Sequence, residues 1–174
     1  GDTGDTGDTG EPASLQVGFE EELDRHGGCS DYFLYAHNEE DTVALSVYGS
    51  GLAEAAHAAG AATTWSFDLA SEEGVGQLEG APTVLVRMGQ NLNYESCNDA
   101  LDPDVEVRVD ASYMGLSGTA TLTVTPDGES NWGEFPASAE LTLEDVVLGN
   151  GVDDTDTVEL GDYTMSAGIG WLPG

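Results

Sequence analysis

Few side chains in this 174-residue sequence can do chemistry: His26, His37 and His57, the cysteines Cys29 and Cys97, a handful of serines, and 34 Asp or Glu set against three arginines and no lysine. Nucleophilic catalysis needs a serine on a tight turn with a base to serve it. Ser50 in GSG and Ser117 in LSGT match no nucleophile elbow and are expected to be turn residues. The histidine spacings fit no metal motif, and neither cysteine has a CxxC partner or a nearby His and Cys set for zinc. Among so many carboxylates some pairs fall within glycosidase distance by chance, so counting them identifies no acid and base pair. No catalytic residue is expected, and the chain is not expected to be an enzyme.

Three binding chemistries remain. Calcium takes six to eight oxygens, and Asn150 to Asp156 (NGVDDTD) gathers Asp153, Asp154 and Asp156 into one turn, the candidate calcium site; NDALDPD, with Asn98, Asp99, Asp102 and Asp104, is a second acidic cluster. Neither has EF-hand spacing, so loops that only solvate the fold are the simpler expectation and no cofactor is required. Two cysteines in a chain that otherwise reads as exported predict a Cys29 to Cys97 disulfide, which in the chain-entropy model contributes about 4 kcal/mol. Saccharide binding would need exposed aromatic platforms. The candidates are Tyr32, Tyr35, Tyr48, Trp65, Tyr94 and Trp132, of which Trp65 reads as core and Trp132, in the polar stretch GESNWGEF, as the best candidate ligand-binding residue.

The elements that must position these groups are mostly strands. DYFLYAH (Asp31 to His37), a turn at NEED, and TVALSVY (Thr42 to Tyr48) read as a hairpin. LAEAAHAA (Leu52 to Ala59) is the one helical stretch, with Leu52, Ala55, Ala56 and Ala59 at helical spacing and Gly60 placed as its C-terminal cap. Thr63 to Leu69 alternates, and Thr83 to Met88 (TVLVRM) suits a central strand. Val105, Val107 and Val109 share one face, with Arg108 between carboxylates on the other. Ser117 to Thr125 turns Ala120, Leu122 and Val124 inward and a threonine ladder outward. Ala139, Leu141 and Leu143 continue the period of two, then Thr157 to Leu160, then Tyr163, Met165, Ala167, Ile169 and Trp171. Short strands separated by turns, one small helix and no βαβ rhythm predict an all-β fold, an antiparallel β-sandwich of jelly-roll or immunoglobulin-like type, with a closed barrel as the alternative. Cys29 and Cys97 both lie outside clear strands in this reading, so a bridge between two sheets is not expected.

Residues 1–14, opening with three Gly-Asp-Thr repeats, are expected to be a flexible acidic tether, and 15–174 a single domain. No stretch is apolar enough for a membrane span. The net charge of −31 excludes nucleic acid and anionic membrane surfaces, because three scattered arginines make no basic stripe. It predicts a saline or marine setting, where about 1 M salt shortens the Debye length to roughly 3 Å and screens the repulsion between carboxylates.

The Gly-Asp-Thr tether, the segments NEEDTVAL, NLNYESCNDALDP and SGTATLTVT, and the closing GWLPG together resemble uncharacterised exported lipoproteins of marine myxobacteria. That resemblance implies an outer-membrane or cell-surface location and no assigned activity. The expected function is a non-catalytic extracellular or cell-surface domain with an interaction or envelope-structural role. The alternatives are a carbohydrate-binding module or a calcium-stabilised adhesion or assembly subunit, with a hydrolase as a remote third. Expected partners are a protein or a surface polysaccharide, or a second copy pairing along the edge of Tyr163 to Trp171.

Overall fold

The computed structural model describes residues 23–70, 82–100, 102–130, 134–152 and 155–171. The tether, Trp132, Asp153 and Asp154 lie outside the described residues. Among the described residues eight strands and one helix follow in order: β1 Arg25–Cys29, β2 Tyr32–His37, β3 Val43–Gly49, α1 Leu52–Ala59, β4 Thr63–Asp68, β5 Thr83–Gln90, β6 Arg108–Pro126, β7 Ala137–Gly149 and β8 Thr157–Ile169. All pairings are antiparallel, so the all-β reading with one short helix holds.

The strands form one hydrogen-bonded path, β1-β2-β3-β5-β6-β7-β8, with β4 attached to β6. The path curls until its ends meet. The Ser30 amide donates to the Trp171 carbonyl at 2.7 Å, and the Gly170 amide donates to the Ser30 carbonyl at 2.5 Å. Gly28 permits this closure, since a Cβ there would lie 2.9 Å from both the Gly168 carbonyl oxygen and the Ile169 side chain. β1 itself had no strand signal, because RHGGC has no β-branched or aromatic residue. Its place comes from close approach, not from propensity.

The inside of the curl is one core. Leu34, Leu45 and Val86 from one half meet Ala120, Leu122, Leu141, Leu143 and Ile169 from the other, all essentially solvent-free. Period-two alternation predicted the inward residues of β6 and β7 correctly. It failed at three places, each for a local reason. Val109 is 44% exposed, because the pairing of β5 with β6 shifts between Met88 and Gly89 and the extra residue Asp110 breaks the alternation before Ala111; β6 itself begins only at Arg108, after a turn at 102–105 in which the Asp102 side chain accepts the Asp104 amide. Trp171 is exposed because Gly170 (φ 81°) reverses the alternation after Ile169. The helix buries Leu52, Ala53 and Ala56 and leaves Ala55 and Ala59 out, a narrower stripe than its spacing suggested.

β6 runs on through Ser117, expected at a turn, and β8 through Gly161, which lies between two expected strands. Gly118 (φ 106°) and Gly161 (φ 67°) sit at register shifts instead of turns. The first part of β6, to Met114, pairs with β5 and the second with β4, while β7 runs along its other side from Met114 to Pro126. The Asp162 carboxylate secures one shift by accepting the Asp145 amide at 3.0 Å.

Candidate functional site

The outer face of the first four path strands carries the chemistry. Register aligns Cys29, Phe33, Tyr48 and Thr83 across β1, β2, β3 and β5, and a parallel row aligns Arg25, His37, Ala44 and Arg87. Their neighbours in sequence, such as Leu34, Val47 and Val86, point into the core. On this face the Phe33 and Tyr48 rings stack with centroids 4.7 Å apart, Tyr35 follows at 5.7 Å from Phe33, and His37 at 6.3 Å from Tyr35. Four rings thus form a strip along two strands.

The segment after β5 lies across part of that face. Cys97 is bonded to Cys29, 68 positions earlier. At the other end the Leu92 amide donates to the Asp41 carbonyl at 3.1 Å. Leu92, Ala44, Ser46 and His37 are consequently buried, and Leu92, Ala44 and Cys29 stand apart from the main core. They form a small second core under the segment. The predicted disulfide is therefore present, and it fastens a loop to a sheet face instead of joining two sheets. His37 is held there by Asp41, whose carboxylate lies 2.5 Å from Nδ1.

Between the stapled segment and the sheet lies a cavity of about 590 Å³, with Phe33, Tyr48, Arg87, Glu95, Asn98 and the disulfide in its walls. A second cavity of about 290 Å³, bordered by Glu54, Phe135 and Trp171, shares Ser30 and Asp31 with it. The two adjoin at these residues, with exposed Tyr48 lining the first and exposed Trp171 the second. Asp31 is committed to structure: its Oδ2 accepts the Leu52 amide at the start of α1, where the N-cap residue Gly51 has no side chain to do so. Glu95 and Asp99 stand exposed at the rim.

Arg87 is the unusual member. Arg25 meets Glu39 at 3.2 Å and Arg108 grips Asp110 through Nε at 2.9 Å and Nη2 at 3.0 Å. The Asp110 partner, with Glu106 beyond it, pushes the Arg108 pKa up still further. Among the described residues Arg87 has neither ion pair nor hydrogen bond, and its Nε is buried. The sequence did carry a signal for it: a lone cation inside the apolar run TVLVRM of a central strand.

The other candidates scatter. Tyr32 is core, its hydroxyl pushed up in pKa by burial. Trp65 is half-buried against the core, and Tyr94 belongs to the stapled segment, its hydroxyl accepting the Asp102 amide. His57 packs on Phe135 and its Nε2 lies 2.7 Å from the Pro136 carbonyl, which ties α1 to the chain before β7. His26 is exposed. Asp156, the described member of the calcium candidate, is hydrogen-bonded by Asn150 at 2.5 Å and by the Tyr113 hydroxyl at 3.5 Å. In the second acidic cluster Asn98 and Asp102 accept the amides of Ala100 and Asp104 and so serve the turn. Among the described residues no three His, Cys, Asp or Glu side chains converge on a metal position. No helix among them is long and apolar enough to cross a membrane. No protein-family model matches this chain, and no curated protein or solved structure is similar to it.

Proposed function

We propose that this chain is a non-catalytic interaction domain displayed outside the cell, and that it binds saccharide in the adjoining cavities lined by Tyr48 and Trp171. The observation behind this reading is the exposed Tyr48 ring stacked on Phe33, beside a roomy cavity walled by Arg87 and Asn98. An aromatic face accepts the C–H face of a sugar ring, and planar polar side chains around it satisfy hydroxyl groups. The disulfide supports an oxidising location. The same proposal includes kinship with the exported lipoproteins of marine myxobacteria, a saline habitat, and a curled sheet flattened into a sandwich whose two halves share the core. The expected self-association through the edge of Tyr163 to Trp171 is left out of this proposal, because the end of that edge is already bonded to Ser30.

A glycan array probed with the oxidised chain tests the binding reading. Wild-type protein is expected to bind a subset of glycans, and Tyr48→Ala combined with Trp171→Ala to lose them while melting normally. An array with no spot above background overturns it.

A further inference from the structure

We infer that this site selects glycans bearing an isolated carboxylate, such as a uronic or sialic acid unit, and that Arg87 is the residue that reads it. This rests on the saccharide reading and adds the ligand's charge to it.

The argument starts from what Arg87 costs. A guanidinium in a central strand, with its Nε removed from water and no partner among the described residues, is unfavourable unless something pairs with it. Partners are abundant in a chain with 34 carboxylates, and the other two arginines have found theirs. Within the cavity Asp31 accepts the Leu52 amide, and among the described residues no carboxylate lies within ion-pair distance of Arg87. What remains is an unpaired guanidinium side chain in the wall of a space large enough for a sugar ring, next to an aromatic pair on which the ring can rest. A carboxylate is the planar acceptor that matches such a fork. Glu95 and Asp99 at the rim, with the net charge of −31 behind them, repel a densely charged polymer, so the acidic unit must be sparse in an otherwise neutral glycan.

The test uses an array of matched glycans that differ only in carrying, or not carrying, the carboxylate, probed in about 1 M NaCl, where the Debye length is roughly 3 Å and net repulsion is screened. Wild-type protein is expected to prefer the acidic member by roughly tenfold or more, the scale of a charge-assisted hydrogen bond. Arg87→Gln should bring that ratio to about one, whatever it does to the neutral member, while the melting curve is unchanged, and Arg87→Lys should retain part of the ratio as a charge without a fork. Equal binding of acidic and neutral partners by wild type, lost in Tyr48→Ala, overturns the inference and leaves the saccharide reading standing. An acidic preference that persists in Arg87→Gln also overturns it. No binding to any glycan removes both.

Discussion

The Tyr163 phenol sits in the core and donates to the Leu23 carbonyl at 3.0 Å. Burial, with Asp24 adding to it, pushes its pKa up to about 12. Because the folded value lies above the ordinary value of about 10, the neutral phenol's contribution to stability is complete below about pH 10 and is lost as pH rises towards 12. The urea midpoint is therefore expected to be level from neutrality to about pH 10 and then to fall, and Tyr163→Phe to shallow the fall while costing about 1 kcal/mol at neutral pH. Phenolate absorbance checks it: a Tyr163 that ionises at the ordinary value would remove the effect. At this scale sequence reading was uneven. The sequence offers Tyr48 and Tyr35 among aromatics that could serve only if exposed, and Tyr48 is exposed. Arg87 and Phe33 were passed over because alternation records which face a residue takes, not whether another segment then covers that face.

Strands β6 and β8 show how glycine can serve as a bend instead of an end. A Cβ on Gly118 would lie 2.7 Å from the Val146 Cα and 2.8 Å from the carbonyl oxygens of Glu144 and Asp145, in addition to the strain of φ 106°. Gly128, at φ 88°, has open space around the same position. Gly128→Ala is expected to cost about 1 kcal/mol for the backbone alone, and Gly118→Ala about 2–3 kcal/mol, by urea denaturation. Equal costs would mean that β7 gives way. The helix bounds, the hairpin of β2 and β3, and the inward residues of β6 and β7 were all legible, because each depends on neighbours within one element. β1, the fusion of strand pieces into β6 and β8, and the meeting of β1 with β8 were not. They depend on segments far apart in the chain, and small residues that permit close approach look like loop residues in isolation.

The whole molecule carries a net charge of −31, and two of its three cations are spent on exposed pairs with Glu39 and Asp110. Repulsion among the remaining carboxylates opposes compaction in dilute buffer and is screened by salt. Calorimetry between about 0.05 and 2 M NaCl is expected to show Tm rising by roughly 5–10 °C, at about 2–4 °C for each kcal/mol of repulsion relieved. A flat response would show that the charges are too dispersed to matter. The disulfide has a different consequence at this scale, a mechanical one. A chain pulled from its two ends can lengthen only outside the loop that Cys29 and Cys97 close, and the 68-residue separation between them withholds roughly 230 Å of contour at about 3.4 Å per residue. Strands β2, β3, β4 and β5 lie within that loop. Load thus passes through a covalent bond at the edge of the aromatic strip, and the strands that carry the rings are shielded from being drawn out while the rest of the sheet yields.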